Sequence, residues 1–142
     1  MKGIGKIINE SKRMLKLLLV SPDKDVLSDF ASALTKHGDV EFSWAESGET
    51  ALQIASTTPL DLIITAETLG DMTGLELAGR LLTVNPMINC ASVSRLSPEK
   101  FHEVSEGMGL MAQLPTKPGE AQAEELLQRL KHIKGLIDAA KD

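Results

Sequence analysis

Leu17, Leu18, Leu19 and Val20 leave no polar side chain on either face of the segment they form. Successive side chains of a strand point to opposite faces, so an unbroken apolar run needs cover above and below. That requirement disfavours a sheet with one wet face and points to a buried strand of a parallel sheet with helices on both sides. The rest of the chain repeats the arrangement. "VEFSWA" (40–45) alternates as a strand, "LDLIIT" (60–65) and "INCASVS" (88–94) read as buried strands, and "LMAQLP" (110–115) as a short fifth one.

Helical patterns fill the intervals. Val26, Leu27, Phe30, Ala33 and Leu34 recur at helical spacing after Pro22 and Asp23, and Gly38 is expected to close that helix. "SGETALQIA" opens on Ser47 as N-cap, "TGLELAGRLLTVNP" opens on Thr73 and ends before Pro86, and "SPEKFHEVSEGMG" opens on Ser97 with Pro98 at the first helical position. The last helix is expected over "EAQAEELLQRLKHIKGLIDAAK", apolar at Leu126, Leu127, Leu130, Ile133 and Ile137. Five strands alternating with five helices over short connections demand a mainly parallel, doubly wound α/β sheet with right-handed crossovers. With 142 residues, no long linker and no repeat, one domain is expected.

Charge narrows the partners. Residues 1–16 carry Lys2, Lys6, Lys12, Arg13 and Lys16 against Glu10, a balance of +4, so the remainder carries −9 of the total −5. An acidic body argues against nucleic acid as the main partner. The basic leader reads as a solvated N-terminal extension (1–15), with an acidic partner or a membrane surface as the other reading. No membrane span and no signal peptide are found, which makes a cytoplasmic location the default expectation. The single cysteine, Cys90, reads as a small buried hydrophobe. His37, His102 and His132 lack metal-ligand spacing and read as surface residues. Trp44 reads as a packing residue.

In an open α/β sheet the site lies beyond the carboxyl ends of the strands. The residues there are Ser21, Pro22 and Asp23; Ala66 and Glu67; Ser94 and Arg95; and Thr116 and Lys117.

At these positions the chain resembles the receiver domain of two-component response regulators, the CheY-like family. "KLLLVSPDKDVLSDFASAL", "AESGETAL", "PLDLIITAETLGDMTGLEL" and "LPTKPGEA" carry the resemblance, in the family's order, over about residues 16–134. It implies a flavodoxin-like fold with strand order 2-1-3-4-5 and a receiver-like domain over 16–142. It also implies a chemistry: an aspartate at the tip of the third strand takes a phosphoryl group from a histidine kinase. Mg²⁺ is held by that aspartate and by an acidic pair after the first strand, and a Ser or Thr and a Lys bind the phosphoryl oxygens. Carried over by position, the acceptor is Ala66 and the acidic pair is Ser21 and Pro22. The Ser/Thr position is Ser94, or Ser92 if the alignment slides by two. The lysine is Lys117, followed by Pro118 with a peptide bond that the family suggests to be cis, and the switch aromatic falls at Leu114.

A methyl group is not a nucleophile, so the expected acyl phosphate cannot form at Ala66. The resemblance therefore implies a degenerate receiver, not an enzyme, with Mg²⁺ binding weak or absent. It would signal by docking to a protein partner: a histidine kinase, an output protein or another receiver. Two further readings stay open: a relocated acceptor, Glu67 or Asp23, using Mg²⁺, or a small-anion sensor using Lys117 and Ser94. Lys117 is also read as ion-pairing with Asp23 or Glu67, and Ser94 as a turn hydroxyl. Leu126, Leu130, Ile133, Leu136 and Ile137, with Ala140, mark a candidate interaction face or homodimer surface through the last strand and helix; the other reading is a longer core helix.

Overall fold

The structure, a computed structural model, describes residues 14–135. Its five strands are β1 (Leu15–Val20), β2 (Val40–Ala45), β3 (Leu62–Thr65), β4 (Asn89–Val93) and β5 (Leu110–Leu114). Its five α-helices are α1 (Ser28–Leu34), α2 (Gly48–Thr57), α3 (Gly74–Val84), α4 (Pro98–Ser105) and α5 (Glu120–Ile133). The strands form one parallel sheet in the order β2-β1-β3-β4-β5. The chain is thus the doubly wound, flavodoxin-like α/β fold expected from its alternation.

The apolar run that constrained the reading is used on both faces. Leu15, Leu17 and Leu19 enter a core with Phe30 and Leu34 of α1 and Leu126, Leu127 and Leu130 of α5. Leu18 and Val20 enter a second core with Ala51 and Ala55 of α2 and Leu77, Ala78 and Leu81 of α3. β3 and β4 divide in the same way, Ile64 and Ala91 on the first side, Ile63 and Cys90 on the second. Burial pushes the Cys90 thiol up to about 12, which leaves it an inert apolar side chain. Among the described residues no helix is long and apolar enough to cross a membrane.

Local chemistry sets the helix starts. The hydroxyls of Ser47, Thr73 and Ser97 each accept from the N–H three residues on, and Thr73 and Glu76 form a reciprocal capping box. Four expectations need correction. The first helical segment begins as a 3₁₀ turn, Lys24–Leu27, capped by the Asp23 carboxylate, and α1 stops at Leu34 rather than at Gly38. The last helix stops at Ile133 because Gly135 turns the chain at φ +71°, a conformation cheap only for glycine. Leu126 and Leu130 are not an outward face; they are buried against β1, and among the described residues of the candidate face only Ile133, 56% exposed, reaches solvent. The Lys117–Pro118 peptide is trans, and the turn is made instead by Lys117 at φ +55°. Leu136, Ile137 and Ala140, and the basic residues of the leader other than Lys16, lie outside the described residues.

One tie between elements could not be read locally. The Asp71 carboxylate, in the loop after β3, accepts from the N–H groups of Gly48 and Glu49 at 3.0 and 2.9 Å. These bonds hold its pKa below the ordinary 3.8. A carboxyl with a depressed folded pKa contributes stability that is complete above its unfolded pKa and is lost as pH falls through the folded one. Asp71→Asn is therefore expected to lower stability at neutral pH. The gap to the wild type closes as urea unfolding is repeated below the ordinary carboxylate value; a gap that stays constant into acid would refute the assignment.

Candidate functional site

The strand tips converge on a cleft of about 270 Å³. Its apolar wall is Pro22, Val26, Ala66 and Val93, and its polar rim is Ser21, Asp23, Glu67, Thr68, Arg95, Thr116 and Lys117. Ala66 stands at the end of β3, its N–H donating to the Val20 carbonyl at 2.9 Å, and the residue is 4% exposed. Gly74 packs against it so closely that a Cβ there would lie 2.6 Å from both the Ala66 carbonyl oxygen and Ser92 Oγ.

The polar groups at the tips are mostly engaged with one another. Ser21 is buried, and its hydroxyl donates to the Asp23 carbonyl at 2.6 Å and accepts from the Asp23 N–H at 3.2 Å. The Asp23 carboxylate accepts from the Asp25 N–H at 3.0 Å. Glu67 reaches across to the fourth tip. Its Oε2 accepts from the Arg95 N–H and its Oε1 from the Arg95 Nε–H, both at 3.0 Å. Glu67 therefore pairs with Arg95 and not with Lys117, and neither Asp23 nor Glu67 lies within ion-pair distance of that lysine. Ser94 is buried outside the cleft lining; its hydroxyl accepts from the Leu96 N–H at 3.2 Å, an ordinary turn contact. Ser92 is buried too, its hydroxyl donating to the Val93 carbonyl. Leu114 and Pro118 are buried beside the cleft without lining it. His102 and His132 are exposed, while His37 is half-buried, with Nε2 2.8 Å from Glu124 Oε2. Trp44 is half-buried, edge-on to Phe42, with the Lys24 ammonium over its ring.

The sequence puts Arg95 at a strand tip without showing its role, and no sequence signal marks Gln113. The Gln113 amide donates to the carbonyls of Ser94 and Leu96 at 3.1 and 2.8 Å and clamps the loop between β4 and α4. Partners 17–28 residues apart leave no trace in local spacing.

No family model matches the chain, and no curated protein is similar to it. Solved structures are. The signal receiver domain of an HD domain-containing protein from Pseudomonas fluorescens superposes with a TM-score of 0.75 at 19% identity, over 87% of this chain and 90% of that one. A CheY-like response regulator receiver domain from Methanospirillum hungatei gives 0.74 at 19%, over 86% and 98%. The chain has the receiver fold. A third structure with this fold, the receiver domain of a sensor histidine kinase from Pseudomonas aeruginosa, gives 0.70 at 16% identity, over 82% and 97%, and holds a magnesium ion in its active-site cleft.

The residues of this chain's receiver-fold cleft do not fit such an ion. A hard divalent cation needs several converging oxygens, carboxylates above all. Ser21 and Pro22 supply no carboxylate, Asp23 is turned to its own helical turn, and Glu67 is held by Arg95. Among the described residues no three His, Cys, Asp or Glu side chains gather as metal binding would require.

Proposed function

We propose that this chain, over residues 16–142, is a degenerate receiver domain that acts in two-component-type signal transduction by docking to a protein partner, without aspartyl phosphorylation. The observation that carries this reading is Ala66. A methyl group sits at the strand tip where the fold's chemistry needs a carboxylate, and the adjacent Glu67 is bonded on both oxygens to Arg95. Phosphoryl transfer to a carboxylate needs a free nucleophilic oxygen and a cation to offset the gathering charge. Glu67 and Asp23 are not equivalent substitutes, because both oxygens of Glu67 are bonded to Arg95 and Asp23 Oδ1 caps its own helical turn.

The partners that suit such a module are a histidine kinase, an output protein or another receiver. Among the described residues of the last helix, Ile133, 56% exposed, is the large apolar side chain that reaches solvent and is open to such a partner. The remaining Lys117 and Thr116 border the cleft without a nucleophile to serve.

Incubation of the chain with acetyl phosphate and Mg²⁺, followed by intact-mass and peptide mass spectrometry, is expected to add no phosphoryl group. Stoichiometric, acid-stable labelling on any serine would leave the reading standing. Hydroxylamine-sensitive labelling at Glu67 or Asp23 would overturn it and make the chain a phosphoacceptor with a relocated acid.

A further inference from the structure

Glu67 does more at the strand tips than neutralise a neighbour. Its carboxylate takes two hydrogen bonds from one residue, the backbone N–H and the Nε–H of Arg95, each at 3.0 Å. Its own backbone is pinned as well, since its carbonyl accepts from the Gly74 N–H at 2.9 Å. On the other side of the contact the loop after β4 is closed by local and β5 partners: Ser94 N–H to the Leu114 carbonyl, Leu96 N–H to Ser94 Oγ, and Gln113 to the carbonyls of Ser94 and Leu96. The Arg95 N–H is the one backbone donor of Ser94–Leu96 whose partner comes from β3's side, and that partner is an anion.

We infer that Arg95 forms a carboxylate-binding site and that Glu67 is its resident ligand, holding the β4–α4 loop in one shape with no added anion. A backbone N–H and a guanidinium N–H aimed at the two oxygens of one carboxylate form a two-point fork, whose charge-assisted bonds are stronger than neutral ones. The ligand class is a small monocarboxylate, and Glu67 supplies one covalently. Because α4 begins at Pro98, two residues beyond Leu96, the position of that helix is tied to the fork. This rests on the reading of the tip as unphosphorylated: the anion that orders the loop is built in rather than delivered.

The test is removal and replacement of the ligand in the full chain. In Glu67→Ala the Arg95 amide, followed by NMR hydrogen exchange, is expected to lose protection by about tenfold or more, the loss of a charge-assisted hydrogen bond, while Ile64 in β3 stays protected. Acetate, which matches the deleted end of the side chain, is expected to restore the protection saturably, whereas chloride at equal ionic strength does not. Adding Arg95→Met to Glu67→Ala is expected to abolish the rescue. Should Glu67→Ala lose Ile64 protection, Glu67→Gln is read instead, and its Arg95 amide is expected to exchange faster than the wild type's. Unchanged exchange in a folded variant, or acetate acting no better than chloride, overturns the site. No phosphodonor is used, so failure here leaves the labelling result untouched, and labelling would leave this exchange measurement readable.

Discussion

Gly74→Ala is expected to destabilise the protein by about 3 kcal/mol, the upper end of what overpacking a close-packed site costs. The added Cβ would meet the Ala66 carbonyl oxygen and Ser92 Oγ at 2.6 Å and Thr65 Cγ2 at 3.0 Å. Two of those three neighbours lie in or directly after β3, buried between β1 and β4, so the helix start must move away from the tip. Gly79→Ala is the control within the same helix. Nothing lies within 4 Å of its Cβ position, so it is expected to raise stability by about 0.5–1 kcal/mol through helix propensity alone. Urea unfolding of both variants decides the matter. Equal small effects would mean that α3 does not bear on the tip as described. Gly48→Ala should be milder than Gly74→Ala, since its contact is the flexible thioether of Met72 rather than backbone.

The second large effect is a gain. The triple variant Ser21→Asp, Pro22→Asp, Ala66→Asp is expected to bind Mg²⁺ saturably and to take a phosphoryl group from acetyl phosphate, against none for the wild type. The three carboxylates would enter a cleft already walled by these positions, with Lys117 still on the rim. Ala66→Asp alone supplies a nucleophile but no cation to balance it, and it is expected to label weakly if at all. A folded triple variant that stays unlabelled would show that the loss of chemistry lies in the shape of the tips and not only in three side chains.

The fold was legible because its determinants are local or periodic. The two-faced burial of Leu17 to Val20 and the caps at Ser47, Thr73 and Ser97 each follow from a few adjacent residues. The strand order needed the resemblance, since periodicity alone does not order strands. Where reading failed, the determinant was geometric. Gly38 and Gly135 look alike in sequence, yet only Gly135 takes positive φ. Leu126 and Leu130 fall on the same apolar stripe as Ile133, but only the first two reach the sheet before the helix runs out. At the site, the identity of Ala66 was plain and its surroundings were not. The carboxylate of Glu67 meets Arg95 across 28 residues, and that of Asp71 meets Gly48 across 23, contacts that no spacing rule reports.

The first strand and the last described helix share one core: Leu15, Leu17 and Leu19 of β1 lie with Leu126, Leu127 and Leu130 of α5. β1 also waits for β3, its second neighbour, whose residues follow more than forty positions later. During synthesis that face of β1 has only the Phe30 and Leu34 side of α1 for cover until α5 is available, and long-range parallel pairing of this kind closes slowly. A nascent chain stalled before residue 120 would present Leu15, Leu17 and Leu19 without their α5 partners, an adhesive leucine surface of the kind that chaperones shield.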